Sequence, residues 1–585
     1  MTLLPASVRT LGGMFDHAAE RYPGKTIGSF PKEESVDFEE LARSGREVAH
    51  RLLAAGIEPG MPVAVLIRSN LELLRALGGV AAAGAVIVPL SVSVGLSAAY
   101  LARLGHVVED CGVRFAVVDE TYAEHFAELL PHIRTITLGP GRTDTATGGD
   151  AGPAGLPVVD EEDLALIQYT SGSTSNPRGV ALTHRNVLAG IRALHEGVRP
   201  RADDVLCHWL PLSHDMGLFS TLAGVAAGID IRISAPQDFV KHPEEWLREF
   251  CAFGADITVG PNFSYRYLID AIEPDDVAEY DLSSLRVALN GAEPIDPELV
   301  SEFGRHFAAA GLAPEAMTPC YGLAEATLAV TFAPVDERAA VDWVDRSVLN
   351  STGHARPAEP RAPGARGIVS CGIPVSSVDV RITDSGTDLP ERTVGEIEIR
   401  GVPVMRGYFG EKGEAGDTGA VDGGTIEWCS TGDLGYLADS RLYVTGRRKE
   451  MMILGGQNYY PQDIEDAIRN LPGVHKGHAI AVVLPPDPGT GTPERIGVLA
   501  EVAVVSPPYG PTVSAIREAA AGELAGASVD VVLLRRNALP RTTSGKFQRL
   551  LTRGQLLEGT LKRVLVQVAA GAPLPPDEGS APSPA

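Results

Sequence analysis

The sequence predicts an α/β protein, with a large N-terminal unit of layered sheets and helices and a small α+β unit behind it. Three observations carry this reading. The chain has 585 residues, too many for one hydrophobic core, so at least two units are expected. Its first part alternates short β-branched runs with amphipathic stretches, the rhythm of a mostly parallel sheet covered by helices. From Lys449 onward the pattern becomes a compact mixture of strands and helices. The expected boundaries are 1–446, 447–565 and a Pro/Ser/Ala-rich tail, 566–585, whose composition predicts disorder.

The elements follow in order. "MPVAVLI" predicts a strand, the stretch from Leu71 a helix, "AVIVPL" a buried strand over Ala85 to Val88, then a helix to about Asp110 and the strand "RFAVVD". No charge lies between Arg75 and Arg103, a run long enough to cross a bilayer. It is mostly Ala, Gly, Val and Ser and is broken at Pro89, so the reading is helix, strand, turn and helix rather than a span. Gly139 to Pro157 lacks periodicity and predicts an exposed linker. The α/β pattern resumes through "DIRISAP", "ADITVG" and "LRVALNGAEP". The polar stretch from Val335 to Arg366 predicts an inserted surface element. In the last unit a helix from Gln462, the strands "HAIAVVLP" and "IGVLAEVAVV", a helix over Ser514 to Leu524 and the strand "VDVVLLR" complete the list.

Composition narrows the function. A net charge of −25 argues against nucleic acid as the main partner, because phosphate backbones need basic surface. Six scattered cysteines, with no Cys-x-x-Cys, offer neither a zinc site nor a disulfide framework and point to a reducing cytoplasm. The start, MTLLPASVRT, lacks a basic region followed by an apolar run, so no signal peptide is expected.

Five stretches carry chemistry. In "LIQYTSGSTSNPRGVALTH" two short strands flank a loop whose Gly172 and Gly179 let backbone amides turn toward an anion. Thr170, Ser171, Ser173 and Thr174 add hydroxyls, and Arg178 a fork for phosphate oxygens. It is not a Walker loop, lacking Gly-Lys-Ser/Thr; by itself it reads equally as a linker or a phosphate cradle. "PCYGLAEAT" places Glu325 where a carboxylate suits Mg²⁺, although a helix-start glutamate looks the same. "STGDLGYL" puts Asp433 in a tight turn, able to accept from ribose hydroxyls or to be an ordinary turn residue. "YVTGRRKEMM" follows with Arg447 and Lys449, and "LPRTTSGKFQR" carries Lys546 on a loop of the second unit.

Together and in this order the five resemble the adenylate-forming (AMP-binding) superfamily over nearly the whole chain. "HDMGL", "GPNFSYRYLIDAI", "NGAEPI", "YGLAEATLAV" and "NYYPQDIE" resemble its fatty acyl-AMP ligases in particular. Four residues depart from the wider pattern: Ala324 stands before the glutamate, as in those ligases; Ser175-Asn176 replaces Gly-x; Arg178 replaces a lysine. The resemblance implies a large adenylate-forming domain with a small mobile lid, and two half-reactions using ATP, Mg²⁺ and a fatty acid. Acyl-AMP and pyrophosphate form first; the thiol of an acyl carrier protein acting in trans then takes the acyl group. It further implies that the loop from Thr170 to Gly179 holds the triphosphate and Glu325 the metal. Asp433 and Arg447 would hold the ribose, with Gly291, Ala292, Glu293, Tyr321 and Gly322 around the adenine. Lys546 would bridge carboxylate and α-phosphate, His214 would border the carboxylate site, and Lys449 would be the hinge of the rotating lid. A core histidine is the alternative for His214. A basic run (Arg535, Arg536, Arg541, Lys546, Arg549, Arg553) would meet an acidic carrier. Two other functions compete: an acyl-CoA synthetase using free coenzyme A, and a non-catalytic protein that binds AMP or acyl-AMP. Ile453 and Leu454, where several CoA-forming relatives have a lysine nearby, lean toward the carrier. Lys546 and Glu325 together argue for catalysis.

Overall fold

The computed structural model of the protein describes residues 4–32, 34–92, 98–138, 155–170, 177–410, 427–454, 457–486, 493–524, 529–541 and 546–572. The expected linker from Gly139 falls largely outside them, as do Ser171, Gly172, Ser173 and Thr174 of the predicted phosphate loop.

Among the described residues, the N-terminal part is built on two large sheets. One runs, edge to edge, Gly407–Tyr408, Arg178–Thr183, Leu164–Thr170, Val86–Pro89, Pro62–Leu66, Phe115–Asp119, Arg134–Leu138. From Leu164–Thr170 onward its neighbours pair in parallel. Alternation explains why it is covered on both faces. Val63, Val65, Ile87 and Val117 enter the main core, while Ala64, Leu66, Val86, Val88, Ala116 and Val118 enter a second core under the helices Ala98–Asp110 and Glu120–Leu129. The described residues of the uncharged run between Arg75 and Arg103 are therefore largely helix and core strand. Pro89 closes the strand rather than interrupting it. No helix among the described residues is long and apolar enough to cross a membrane.

The second large sheet holds the parallel strands Met317–Gly322, Val287–Asn290, Ile257–Gly260, Val205–His208, Asp230–Ser234 and Thr26–Phe30 in that spatial order. Both sheets contribute side chains to the main core, with the helices Asn70–Ala82, His184–Val198 and Asp215–Ala227 between them. A smaller antiparallel sheet contains the long hairpin Cys429–Ala438 and Arg441–Arg447.

Beyond Lys449, Val474–Leu484, Arg495–Val502, Asp530–Leu534 and Val564–Val568 form a separate four-stranded sheet. It has its own cores on its two faces: Ala481, Val498, Ala500 and Val531 on one, Ile480, Val482, Leu499 and Val532 on the other. The last strand corrects the tail expected from residue 566. Val566, Gln567 and Val568 pair with Leu533, Val532 and Val531, because the apolar run "VLVQV" completes that sheet. Residues 573–585 lie outside the described ones.

The stretch from Val335 to Arg366 is more than a surface element. Val341–Asp345 pairs antiparallel with Ala365–Val369, and the helix Arg346–Thr352 lies between them in sequence. Val344, Leu349 and Ala355 are fully buried against Tyr436, Tyr443 and Tyr460. Polar composition hid this small core, since only a few apolar residues, widely spaced, build it. The element also reaches the last unit. Arg366 Nε lies 2.8 Å from Asp463 Oδ1, and Arg346 pairs with Glu523.

Candidate active site

The C-terminal ends of the parallel strands in the second sheet open on one side, where such sheets collect ligands. After Val205–His208 the chain turns to His214; after Val287–Asn290 it reaches Gly291 and Ala292; after Met317–Gly322 it reaches Glu325. These ends, the strand pair of the first sheet and the loop bearing Lys546 line one cavity of about 480 Å³. Ten of the predicted residues line it: Thr170, Arg178, His214, Ala292, Tyr321, Gly322, Glu325, Arg447, Lys449 and Lys546. Residues some 370 positions apart in sequence, such as Thr170 and Lys546, thus face the same space.

Local chemistry places each group. Leu164–Thr170 and Arg178–Thr183 are antiparallel, with Thr170 opposite Arg178, so both stems of the predicted phosphate loop are set at the cavity. Arg178 lies 3.6 Å over the ring of Tyr408, which fixes the guanidinium plane. The Tyr408 hydroxyl donates to Glu325 Oε1 at 2.7 Å, orienting that carboxylate. Gly322 is required by packing: a Cβ there would sit 1.8 Å from the carbonyl oxygen of Leu328, where the chain folds back after Glu325.

Asp433 is buried and does not itself line the cavity. Its Oδ2 accepts from Tyr321 Oη at 2.8 Å and its Oδ1 from Arg447 Nε at 2.9 Å. A carboxylate has about four lone-pair positions, so both oxygens keep capacity for ligand hydroxyls. Burial, followed by the charge of Asp433, pushes the Tyr321 phenol far up, so it remains a donor. Of the expected adenine wall Ala292, Tyr321 and Gly322 are among the lining residues, while Gly291 and Glu293 flank Ala292 outside them. Gly291 is held against Cys320, where a Cβ would come within 2.8 Å of the sulfur. Glu293 accepts from the amide of Phe263 at 3.2 Å, and burial raises its pKa.

At the inner end His214 Nδ1 lies 2.7 Å from Asp215 Oδ1, which also accepts from the Met216 amide at 2.7 Å. Burial raises the Asp215 pKa, but His214, Lys546 and that amide outweigh it and hold the carboxyl below its usual value. His214 is a cavity residue rather than a core histidine. The Lys546 ammonium is pushed down by burial and by Arg447, and is pulled back by Asp215 and Glu293. A desolvated cation near two carboxylates and a guanidinium is suited to an incoming anion. Lys449 lies in the short turn Arg448–Glu450 at the end of the hairpin strand Arg441–Arg447.

Sequence reasoning missed Asp215 and Tyr408, and read Arg549 only as part of a basic run facing a carrier. Asp215 stood beside His214 in "HDMGL", where its adjacency was the available signal. Tyr408 had none, because its role depends on Gly407–Tyr408 pairing with Arg178–Thr183. Arg549 lines the cavity and binds Glu450 at 2.7 Å, with Glu465 as its second partner.

The cavity fits Mg²⁺ with a nucleotide. It offers the Glu325 carboxylate, oriented by Tyr408, together with Thr170 and Arg178, while Asp215, Glu396 and Glu450 also belong to the lining; Mg²⁺ is held by one or two carboxylates together with substrate phosphates. The group of three potential ligands among the described residues, His242, Glu244 and Glu245, lies elsewhere and is largely exposed.

The family described as AMP-binding enzyme matches residues 15–409. The chain belongs to that family. It is 32% identical over 577 residues to the long-chain-fatty-acid–AMP ligase FadD32 of Mycolicibacterium smegmatis, covering 90% of each chain. It is 35% identical over 437 residues to the medium-chain-fatty-acid–[acyl-carrier-protein] ligase JamA of Moorena producens, covering 71% of this chain and 72% of that one. A structure from a study of fatty acyl-adenylate ligases of E. coli and L. pneumophila matches with a TM-score of 0.84 at 30% identity, covering 96% of this chain and 99% of that one. The resemblance read from the motifs is borne out: this AMP-binding enzyme is an adenylate-forming ligase of the fatty acyl-AMP ligase group.

Proposed function

We propose that this AMP-binding enzyme activates a fatty acid with ATP and passes the acyl group to the phosphopantetheine thiol of an acyl carrier protein in trans. In the first half-reaction a carboxylate oxygen attacks the α-phosphorus, and the bond to the β-phosphate oxygen breaks with release of pyrophosphate. In the second, the thiol loses its proton, its sulfur attacks the acyl carbonyl, and AMP leaves. The observation that carries the reading is the meeting of Lys546 with His214, Asp215 and Arg447 in one cavity, with Asp433 bound to Arg447 just behind its wall.

The residues divide the work. Lys546 neutralises the approach of one anion to another, the main barrier in a reaction governed by positioning and charge. Asp433 and Arg447 hold the ribose, Ala292 and Tyr321 flank the base, and the loop from Thr170 to Gly179 holds the triphosphate. His214, oriented by Asp215, borders the fatty carboxylate. Mg²⁺, when bound through Glu325, supplies positive charge to the phosphates. After adenylation the unit beyond Lys449, the proposed hinge, rotates; Lys546 withdraws and the thiol enters. Two features support the carrier over coenzyme A: the segment from Val335 to Arg366 grips that unit through Arg366–Asp463 and Arg346–Glu523, and Ile453–Leu454 replaces a lysine-bearing stretch. An element that opposes rotation is offset by a partner with a large contact surface more readily than by a small thiol. The cytoplasm is the proposed compartment, in keeping with six free cysteines.

Fatty-acid-dependent ATP–pyrophosphate exchange tests the first step. Glu325→Ala should abolish most of it and shift its Mg²⁺ requirement. An unchanged rate and requirement would remove Glu325 as the metal ligand. No exchange with any acid would favour a binding protein.

A further inference from the structure

The stretches "GPNFSYRYLIDAI" and "NGAEPI" meet at one edge of the second large sheet. The strands Ile257–Gly260 and Val287–Asn290 are parallel neighbours with Gly260 opposite Asn290, so the chain leaves both on the same side. The first continues through Pro261 into the helix Asn262–Ala271, the second into the loop 291–294.

Hydrogen bonds stitch that loop to the start of the helix. The Gly291 amide donates to the Gly260 carbonyl at 3.4 Å. The Phe263 amide donates to Glu293 Oε1 at 3.2 Å, and the Tyr265 hydroxyl to the Leu289 carbonyl at 2.6 Å. Asn262 reaches both ends of the loop with one side chain. Its Nδ2 donates to the Pro294 carbonyl, which can only accept; its Oδ1 is thereby turned to Asn290, whose Nδ2 donates to it at 2.9 Å. Asn262 is 7% exposed and Asn290 fully buried, so little water competes for these bonds. The Asn262 side chain does not serve its own helix, since Pro261 is the N-cap and no side-chain cap is made.

Inside this clasp stands Ala292. Its φ is +69°, in the left-handed region that a Cβ disfavours, and it lines the cavity. A strained residue of this kind persists only where its surroundings hold it, and such residues cluster where ligands bind.

We propose that Asn262 is a positioning residue for the nucleotide base. By tying the Pro294 carbonyl to Asn290 it keeps Ala292 in its left-handed turn at the cavity wall, where the flat purine lies against it. The proposal rests on the reading of the site as an adenylate-forming one, with the base beside Ala292 and Tyr321. Without the clasp, residue 292 relaxes to an ordinary conformation and the base loses its fitted wall. Lys546, Glu325 and His214 stand on other elements and keep their places.

The experiment compares the full chain with Asn262→Ala, which removes both side-chain bonds, and Asn262→Asp, which removes only the donor to Pro294. Either variant that folds decides. Calorimetry gives the Kd of AMP and of GMP, and ATP–pyrophosphate exchange gives kcat with the KM for ATP and for the acid. The Kd of AMP and the KM for ATP should each rise about tenfold, the scale of one lost hydrogen bond. The preference for AMP over GMP should shrink, because the altered wall no longer fits one purine. The kcat and the KM for the acid should stay within about twofold, as loss of uniform nucleotide binding requires. An unchanged AMP affinity or AMP-over-GMP preference would overturn the inference and leave adenylation standing, and so would a fall in kcat with the KM for ATP unmoved. No exchange by the parent chain with any acid would overturn the proposed function, and the AMP comparison would then decide the role of Asn262 alone. A parent chain that binds no AMP would overturn both.

Discussion

Removing Arg366 should loosen the grip of the inserted segment on the last unit and open the enzyme to coenzyme A. The Arg366 guanidinium pairs with Asp463 at 2.8 Å, stacks 4.1 Å over Tyr460 and donates to the Thr445 carbonyl at 3.3 Å. Both side chains of the pair are only about a tenth exposed. Arg366→Ala leaves Asp463, whose pKa burial already raises against the pull of Arg366, with its charge less compensated. Breaking a buried pair costs about 3–5 kcal/mol when nothing relaxes; Arg346 nearby and proton uptake by Asp463 reduce this to about 2 kcal/mol. If undocking relieves it, the docked-to-undocked ratio falls about 30-fold. Amide exchange along the helix Pro461–Arg469 should accelerate by that order, while exchange in Asn70–Ala82 stays as it is. Acyl-CoA formation should rise while adenylation survives, and Asp463→Asn in the same chain should recover part of the protection, as a double-mutant cycle requires. Unchanged exchange in that helix, with unchanged acyl-CoA output, would refute the grip. Rapid acyl-CoA formation by the intact enzyme, matching carrier loading, would instead hand the case to an acyl-CoA synthetase.

Lys546→Ala should slow adenylation by about 10²–10³-fold and spare transfer from acyl-AMP supplied ready-made; equal loss in both steps would end the rotation model. Because burial and Arg447 depress the Lys546 pKa, its charge is lost as pH rises through a value below the ordinary lysine value of about 10.4, so the pH–rate profile of adenylation should bend down there. Lys546→Arg, if active, should remove that limb, since its guanidinium stays charged. A third test concerns the fully buried Glu501, which takes the amides of Ala538 and Leu539 and lies 2.9 Å from His478. Burial raises its pKa, yet these partners bring it down to about 2. A depressed carboxyl stabilises the fold above its unfolded pKa and loses that contribution as pH falls through the folded value; a fall from 4.5 to about 2 is worth about 3 kcal/mol, lost between roughly pH 5 and 2. Calorimetry should show Glu501→Gln less stable at neutral pH and flatter against acid than the parent, and parallel curves would count against it.

The two-unit architecture was legible because alternation is a local property. Val63, Ala64, Val65 and Leu66 send successive side chains to opposite faces, and a run that is apolar throughout can only be a strand buried on both sides. Site residues tied to the chain by short quoted stretches, such as Glu325, Arg447 and Lys546, were legible too. What escaped depends on pairing between distant segments. Tyr408 reaches Glu325 because Gly407–Tyr408 adds to the edge of Arg178–Thr183, across more than two hundred residues. Glu293 reads as an adenine contact within "NGAEP", whereas one of its oxygens accepts from the Phe263 amide, a partner thirty residues upstream that the stretch does not contain. The core of the inserted segment needs three tyrosines from elsewhere, which no window over Val335 to Arg366 contains.

The electrostatics of the site tie its closure to its substrate. Burial first, and then the charge of Arg447, depress Lys546, and together they outweigh the pull of Asp215 and Glu293. A triphosphate brings negative charge between the two cations and removes the conflict, while a withdrawn Lys546 gains nothing from it. Under the proposed rotation, ATP binds the closed arrangement more tightly than the open one and pulls the last unit inward. Once pyrophosphate has left, much of that charge is gone, and the same two cations favour separation. On that proposal the order of the half-reactions follows from the charge left in the cavity, with the inserted segment setting how far the last unit can respond.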